Sequence, residues 1–463
     1  MTQFNQYPLC EQLLLSLKNL NFTEATSTQE ACLPTLLQGK DALVEAKTGS
    51  GKTLAFGLAV LDKLALQSQA AAHPQALVLC PTRELVEQVS YQLQLLARQL
   101  ANTKILALFG GVALAPQLNS LRHAPAVVVG TPGRVIDIIN HERLDLSGVK
   151  TLVLDEADRM LDMGFSEQVD WIIRKLHNQA SEVQTLLFSA TFGDNINSLS
   201  ERYQRNAEVI KVTDADSSLS IEQSAYKTQS KMRNYTVAAL LTEYQPESTI
   251  VFCQTKVEVN ALTQQLSEDG FSVVQLQGDM EQSERTNSIN LFSANCANVL
   301  VATDVASRGL DIANVSMVIN HRISDDLDIH THRIGRTGRA GESGKAITII
   351  DDEDEHKLIK FNAQLPEDIP IKHAQSLRFH ANRIISAKYI GIQIDAGKKR
   401  KVSKGDLLGA LTKQANIPAK DIGKIHISRY WSFAAIKIRS VKRALMLFRE
   451  ESVKGKRVRA KKL

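Results

Sequence analysis

The chain has 463 residues, of which 43% are hydrophobic and 23% are charged. This balance excludes a fibrous or wholly disordered protein, and the length suggests about three domains. The sequence has no apolar run near the roughly 20 residues that a transmembrane helix needs, no secretory signal, and no CxxC pair among its five cysteines. We therefore expect a cytoplasmic protein with no membrane partner, no disulfide framework and no metal cluster.

The charge of the chain is unevenly distributed. The net charge is +5, but residues 388–463 contain 21 Lys and Arg against five Asp and Glu, whereas residues 1–387 have a net charge of −11. This asymmetry favours a polyanion-binding module at the C-terminal end, and the alternative is a solvated basic tail.

Short apolar runs alternate with helix-like stretches through most of the chain. Residues 76–80 and 151–154 lack polar alternation, which is typical of parallel strands buried on both faces. We predict two doubly wound parallel-sheet domains, of the RecA-like α/β type, over residues 1–211 and 221–375. The polar segment 212–220 between them is a predicted hinge linker.

The basic residues 388–463 have their own pattern of elements. The predicted order is strand, helix, strand, strand, helix and strand, at residues 388–395, 406–411, 422–427, 433–438, 441–448 and near 457–458. This order predicts an RRM-like, ferredoxin-like α+β domain rather than a tail.

A glycine-rich segment follows the predicted strand at 42–44. It consists of Ala46, Lys47, Thr48, Gly49, Ser50, Gly51, Lys52 and Thr53. Its glycines let backbone N–H groups surround phosphate oxygens, while Lys52 reaches the β- and γ-phosphates and Thr53 can hold Mg²⁺. The strict P-loop pattern fails only at Ala46. The alternative is a surface turn, which the predicted strand–loop–helix context disfavours.

Two acidic residues end the predicted strand at 151–154. Asp155 suits the role of a Mg²⁺ ligand, and Glu156 can polarise the attacking water of ATP hydrolysis. Carboxylates are common at helix starts, but together with the glycine-rich segment they indicate an ATPase.

With these segments in this order, the chain resembles the DEAD-box RNA helicases. The resemblance rests on motifs spread over residues 4 to about 350: Asn21-Phe22-Thr23 with Gln29, residues 46–53, Pro81-Thr82-Arg83-Glu84-Leu85, Gly110-Gly111, Thr131-Pro132-Gly133-Arg134, Asp155-Glu156-Ala157-Asp158, Ser189-Ala190-Thr191, residues 277–285, residues 302–311 and residues 332–339. Ser27-Thr28, before the glutamine, and His330-Thr331 depart from the family pattern without removing a catalytic group.

The resemblance implies roles for these residues. Gln29 would read adenine with Phe22 packed nearby, Asp311 would contact the nucleotide, and Arg336 and Arg339 would act as arginine fingers. Ser189 and Thr191 would hydrogen-bond Asp158 and couple ATP binding to domain closure. The residues expected to grip RNA are Arg83, Gly111, Thr131, Arg134, Arg285 and Thr303. For Arg285 the alternative is a solvated charge on a helix.

The last segment resembles one branch of this family, the bacterial DbpA helicases. The match lies at residues 395–399, 405–411 and 421–425, and it implies recognition of a hairpin in large-subunit ribosomal RNA. An ordinary RRM stacks bases on aromatic residues of its third strand, but here Ala435 takes the second stacking place. We therefore expect Phe433 to be a core residue. Recognition is assigned instead to the basic end from Lys454 and to Lys398, Lys399, Arg400, Lys401, Arg429 and Tyr430.

The sequence thus predicts an ATP- and Mg²⁺-dependent RNA helicase that unwinds short duplexes locally. Its expected targets are 23S rRNA and precursors of the large ribosomal subunit. Three alternatives stay open: an ATP-gated RNA clamp, a general RNA chaperone without a ribosomal address, and a DNA helicase, because the sequence does not reveal whether the groove senses a 2′-hydroxyl. For residues 398–401, a nuclear-import-like run is a further alternative.

Overall fold

The computed structural model describes residues 2–46, 49–65, 73–180, 182–190, 192–212, 221–304, 314–338, 343–365, 367–428, 430–450, 452–453 and 456–463. The chain divides into two compact units, one with the described residues up to 212 and one with those from 221 onward. The predicted hinge linker at 212–220 lies, apart from Val212, outside the described residues. No helix in the described ranges is long and apolar enough to cross a membrane.

The first unit is one parallel sheet covered by helices, and we call it the first sheet domain. Its elements are α1 (Glu11–Asn19), α2 (Ser27–Leu37), β1 (Ala42–Glu45), α3 (Lys52–Ala65), β2 (Ala76–Leu79), α4 (Arg83–Leu96), β3 (Ile105–Leu108), α5 (Leu114–Ser120), β4 (Val127–Gly130), α6 (Pro132–Asn140), β5 (Thr151–Leu154), α7 (Ala157–Asp162), α8 (Ser166–Gln179), β6 (Gln184–Ser189), α9 (Asp194–Tyr203) and β7 (Glu208–Lys211).

The strand order of this sheet is β3-β4-β2-β5-β6-β1-β7, and every pairing in it is parallel. β2, β4 and β5 are buried along their whole length because two apolar clusters cover the two faces of the sheet. Because both faces are covered, these strands have apolar residues at successive positions and no polar alternation. Parallel pairing also puts the carboxyl ends of the strands, where the motif loops begin, at one edge of the sheet.

The second unit begins with another parallel sheet, the second sheet domain. Its elements are β8 (Ile221–Lys227), α10 (Arg233–Tyr244), β9 (Thr249–Cys253), α11 (Lys256–Glu268), β10 (Val273–Leu276), α12 (Gln282–Ser293), β11 (Val299–Thr303), β12 (Met317–Asn320), α13 (Leu327–Ile334), β13 (Gly344–Ile350), α14 (Glu355–Asn362) and β14 (Ile371–His373). The strand order is β10-β11-β9-β12-β13-β8-β14, again parallel throughout.

The second unit ends with a small antiparallel sheet and two helices, which we call the tail domain. Its elements are β15 (Tyr389–Ile394), α15 (Lys404–Gly409), β16 (Ile422–Ile427), β17 (Ser432–Lys437), α16 (Val441–Glu450), β18 (Ser452–Val453), β19 (Lys456–Arg457) and β20 (Ala460–Lys462). The sheet order is β16-β17-β15-β20, while β18 and β19 form a separate hairpin. The predicted fold class, two RecA-like domains and an RRM-like domain, is confirmed.

Two details of the tail domain differ from the sequence prediction. The fourth strand of the sheet is β20, not the segment near residues 457–458, because β19 is used in the hairpin with β18. The first helix begins at Lys404, where Ser403 caps it through the backbone N–H of Asp406, and it continues as a π-helical turn over Ala410–Gln414.

Candidate functional site

The described end of the glycine-rich loop, just before α3, contains two glycines with positive φ angles. Gly49 and Gly51 have φ angles of +88° and +93°, a left-handed conformation that glycine adopts without strain. α3 begins at Lys52, whose buried side chain donates a hydrogen bond of 2.8 Å to the carbonyl oxygen of Ala46. The lysine is therefore held inside its own loop, at the N-terminus of a helix, where an anion is stabilised.

The segment around Gln29 contacts this loop directly. Thr26 caps α2 and forms a capping box with Gln29. The Gln29 amide also donates a hydrogen bond of 3.2 Å to the carbonyl of Gly51, and the Thr26 hydroxyl donates one of 2.8 Å to the carbonyl of Ser50. A Cβ atom on Gly51 would lie 2.3 Å from the Gln29 amide nitrogen, so only glycine fits there. Phe22 is 46% exposed.

The two acidic residues after β5 are both buried. Burial raises the pKa of Asp155 to about 7, and the nearby charge of Lys52 opposes that rise. Glu156 has a left-handed backbone with φ 55°, which is uncommon for a residue with a side chain. Its carboxylate accepts a hydrogen bond of 3.0 Å from the guanidinium of Arg159, and both side chains are less than a tenth exposed. The candidate catalytic carboxylate is thus held by an ion pair.

Asp158 connects β6 to the start of α7. One carboxylate oxygen of Asp158 accepts a hydrogen bond of 3.0 Å from the backbone N–H of Ala190, and the other accepts one of 2.9 Å from the N–H of Arg159. Ser189, just before Ala190, is fully buried, and its carbonyl accepts a hydrogen bond from the N–H of Ala46 in the glycine-rich loop. The predicted coupling segment therefore contacts both the acidic motif and the glycine-rich loop.

The predicted RNA-gripping residues of the first sheet domain meet at the loop after β3. The Arg83 side chain lies against this loop so closely that a Cβ atom on Gly111 would be 1.8 Å from its guanidinium. The Arg134 guanidinium donates a hydrogen bond of 3.3 Å to the carbonyl of Val112 in the same loop. Arg134 lies in the first turn of α6, which Thr131 begins as the N-cap residue. These motifs, separated in sequence, form one surface.

The predicted residues of the second sheet domain lie on separate elements. Arg285 is half-buried in the first turn of α12, Thr303 is buried at the end of β11, and Arg336 is buried just after α13. The same motif region holds a buried arginine without a predicted role: Arg333 makes a two-pronged ion pair with Asp304, at 2.6 and 2.7 Å. This pair fixes α13 to the end of β11.

The predicted basic residues of the tail domain form a compact loop. Residues Lys398–Arg400 make a 3₁₀ turn, and Lys401 has a left-handed backbone with φ 58°. The ammonium of Lys399 lies 5.3 Å above the ring centre of Tyr430, which is itself exposed. Lys398, Lys399, Arg400, Lys401 and Tyr430 are therefore close together at one end of the tail sheet.

The outer face of the tail sheet is packed against the second sheet domain. Phe433 and Ala435, both fully buried, cluster with Leu291 and Ala294 at the end of α12. A Cβ atom on Gly391 would lie 2.4 Å from a methyl carbon of Leu291. Phe433 is therefore buried as expected, although in an interface between domains rather than in the core of the tail domain.

Some predicted site residues are outside the structural description, and some contacts were not predicted. The predicted residues outside the described ranges are Lys47, Thr48, Thr191, Asp311, Arg339, Arg429 and Lys454, the first residue of the predicted basic end. Arg159 had no predicted role, although its position three residues after Glu156 at a helix start is a signal for such a pair. The covered sheet face was not predicted either, and its signal is the lack of polar alternation in β17.

Comparisons with known proteins agree along the chain. Protein families described as "DEAD/DEAH box helicase", "Helicase conserved C-terminal domain" and "DbpA RNA binding domain" match residues 26–199, 230–341 and 391–462. The chain is 42% identical to "ATP-dependent RNA helicase DbpA" of Escherichia coli, with 97% of each chain covered. It is 35% identical to the Bacillus subtilis protein of the same name, with 100% of this chain and 99% of the relative covered. The structure of S. cerevisiae Dbp5 bound to RNA and ADP BeF3 has a TM-score of 0.72 and 29% identity, covering 81% of this chain and 96% of that one.

Proposed function

Because this chain belongs to the DEAD-box family of ATP-dependent RNA helicases and has a DbpA RNA-binding domain, we propose that it acts on 23S rRNA during assembly of the large ribosomal subunit. The helicase would unwind short RNA duplexes locally, and the tail domain would direct it to its target RNA by binding that RNA. The observation that carries the proposal is the match of residues 391–462 to the DbpA RNA-binding domain, together with the basic loop that this domain exposes.

We assign ATP and Mg²⁺ to the loop between β1 and α3. The residues fit these groups: left-handed glycines leave the loop open to phosphate oxygens, Lys52 supplies a positive charge, and Thr53 and Asp155 offer oxygen ligands of the kind that Mg²⁺ prefers. When bound, Mg²⁺ would neutralise charge on the phosphates. Gln29 would recognise adenine, with Phe22 beside it. The remaining proposed nucleotide contacts are Ala46, Lys47, Thr48, Gly49, Ser50, Gly51 and Asp311.

For hydrolysis we assign to Glu156 the role of orienting the attacking water, because its carboxylate can accept a hydrogen bond from that water. Arg336 and Arg339 would stabilise the charge that develops on the transferred phosphoryl group. Asp158, Ser189 and Thr191 would transmit the state of the nucleotide. Support comes from the hydrogen bond that Asp158 accepts from the backbone N–H of Ala190, and from the one that the Ser189 carbonyl accepts from the N–H of Ala46 in the glycine-rich loop.

The RNA strand would lie on the surface formed by Arg83, Gly111, Thr131 and Arg134, with Arg285 and Thr303 as its contacts in the second sheet domain. Guanidinium groups, hydroxyls and backbone N–H groups of this kind bind phosphate oxygens without reading sequence. A helicase that acts on many duplexes therefore needs a separate module for target choice. In the tail domain, the proposed target-reading contacts are Lys398, Lys399, Arg400, Lys401, Arg429 and Tyr430.

We also propose that the protein works in the cytoplasm. All five cysteines are free thiols, three of them buried, which suits a reducing compartment. Burial raises the pKa of Cys32 to about 12, so this thiol stays protonated and unreactive beside the nucleotide loop.

The test is the ATPase rate of the full chain with two RNAs of equal length. One RNA carries the hairpin of large-subunit ribosomal RNA, and the other is an unrelated sequence with the same predicted pairing. We expect strong stimulation by the first and weak stimulation by the second, and stimulation by DNA of the same sequence should be absent. Equal stimulation by both RNAs would contradict the ribosomal address and leave a general RNA chaperone. No stimulation by either would favour an ATP-gated clamp.

A further inference from the structure

One corner of the tail sheet lies beside the contact with the second sheet domain. β16 is the outermost strand of this sheet, and His426 on it pairs with Phe433 on β17. Residues that pair directly across two strands point to the same face, so His426 shares the outer face with Phe433. Phe433 is fully buried, but His426 and Trp431 are only half-buried. We call His426 and Trp431 the sheet corner.

The two rings of the sheet corner pack against each other. Their centres are 6.2 Å apart and their planes are inclined by 48°, which is a tilted arrangement typical of aromatic pairs. Trp431 also packs against the cluster that joins the tail sheet to the second sheet domain, so it is fixed in position. Because the two planes are inclined, a planar group can lie parallel to only one of the rings.

Three lysines lie near enough to His426 for their charges to act on its imidazole. Lys398 comes from the loop after β15, Lys404 begins α15, and Lys424 lies on β16. Burial, and then the charges of Lys424, Lys404 and Lys398, lower the pKa of His426. The backbone N–H of Lys398 donates a hydrogen bond of 2.9 Å to the carbonyl of Ser428 on the turn before Trp431, which holds this lysine at the corner. The ammonium of Lys424 donates a hydrogen bond of 3.0 Å to the hydroxyl of Ser293 on α12, so this lysine is engaged by the second sheet domain.

We propose that the sheet corner binds a single unpaired nucleotide of RNA, with its base stacked on the ring of His426 beside Trp431 and its flanking phosphates bound by Lys398 and Lys404. This inference rests on the proposed function, because it assigns a binding site to the RNA-binding tail domain. An open RRM sheet offers two or three stacking positions. Here α12 covers Phe433 and Ala435, and the remaining rings at the corner hold one base.

The local readout for this site is the fluorescence of Trp431. The chain has two tryptophans, and the other, Trp171, lies on α8 of the first sheet domain. In a Trp171→Phe background, we expect the ribosomal hairpin RNA to quench the emission of Trp431. A blunt duplex of the same length, which has no unpaired nucleotide, should quench it far less. The midpoint of the quenching should match the affinity that fluorescence anisotropy gives for a labelled hairpin.

Substitutions then separate stacking from charge. His426→Ala should weaken hairpin binding by about tenfold because base–aromatic stacking is lost, whereas His426→Phe, which keeps a ring, should retain most of the affinity. In the double variant Lys398→Gln, Lys404→Gln, affinity should depend less steeply on salt. The magnitude of the slope of log affinity against log salt concentration should decrease by about 0.7 for each phosphate contact removed. Lys442→Gln is the matched control, because Lys442 is exposed on α16, on the helical side of the sheet.

Several results would overturn the site. Unchanged Trp431 emission at saturating RNA would exclude stacking at the corner, and so would His426→Ala with the affinity of the parent chain and an unchanged melting temperature. Equal quenching by poly-glutamate would reassign the corner to an acidic protein partner. If the parent chain prefers the ribosomal RNA in the ATPase assay and His426→Ala keeps that preference, the corner is wrong and the proposed function stands. If the parent chain shows no preference for the ribosomal RNA but RNA quenches Trp431, the proposed ribosomal target is wrong and the sheet corner stands as an RNA site.

Discussion

At the scale of single residues, Asp155 is a buried carboxyl group whose ionised form is destabilised by its surroundings. Burial raises its pKa to about 7, from 3.8 in an ordinary aspartate. Between these two values the unfolded chain ionises while the folded chain stays protonated, so the free energy of unfolding falls as pH rises and stays low above about pH 7. Asp155→Asn should therefore raise the melting temperature by a few degrees at about pH 8 and leave it nearly unchanged at about pH 4.

Thermal denaturation at the two pH values measures this effect. Asp137→Asn is the matched control, since the Asp137 side chain is 60% exposed in the same domain, and it should shift the melting temperature little at either pH. A stabilisation by Asp155→Asn that is equal at both pH values would show that burial of the charge is not its cause. Loss of ATPase activity in this variant together with higher stability would be a trade-off between function and stability.

The pair between Glu156 and Arg159 supports a second prediction at this scale. Both side chains are less than a tenth exposed, so Arg159→Met would leave the Glu156 carboxylate buried without a partner. We expect a loss of about 3–5 kcal/mol in the free energy of unfolding of the first sheet domain. The double variant with Glu156→Gln should recover much of that loss, because the uncompensated charge is gone. Chemical denaturation of the single and double variants gives the coupling energy, and strictly additive effects would contradict a direct interaction.

At the scale of elements, the sequence predicted the sheets well and the domain contact poorly. The strands at 76–79 and 151–154 were recognisable because strands buried on both faces have no polar alternation. The motif residues were recognisable because they follow strand ends, which a parallel sheet gathers at one edge. Phe433 is a residue whose surroundings the sequence could not predict. Its apolar side chain predicts burial, but a residue buried in a core and one buried in an interface have the same hydrophobic pattern in the sequence. The fourth tail strand, β20, is three residues long and mostly charged, so its pairing depends on the position of β15.

The interface between the tail sheet and α12 can be tested at Gly391. A Cβ atom there would lie 2.4 Å from Leu291 and 2.8 Å from Phe433, so Gly391→Val should separate these surfaces or strain them. We expect faster amide hydrogen exchange at the end of α12 and in β17, with little change in the first sheet domain. Gly409→Ala is the control, because no atom lies within 4 Å of a Cβ there. Unchanged exchange in Gly391→Val would mean that the contact is weak in solution.

At the scale of the whole molecule, charge separates the two tasks of the protein. Residues 1–387 have a net charge of −11, and the basic residues are concentrated after position 387. We therefore expect RNA binding by the helicase domains to depend on a local group of donors such as Arg83 and Arg134, and long-range attraction to RNA to come from the tail. Because the tail sheet packs on the second sheet domain through Phe433 and Ala435, RNA that is bound to the tail is held next to that domain.

The proposed role of Arg336 in ATP hydrolysis can be tested by substitution. This residue lies in the second unit, while the glycine-rich loop that would bind ATP lies in the first. If Arg336 neutralises charge on the transferred phosphoryl group, Arg336→Ala should lower kcat at saturating RNA by about a thousandfold or more, and leave the affinity for ATP within a few-fold. Arg336→Lys should fail too, because an ammonium lacks the planar fork of a guanidinium. Arg378→Ala, at an exposed position of the same unit, is the control. Near-normal turnover in Arg336→Ala would show that one domain hydrolyses ATP alone.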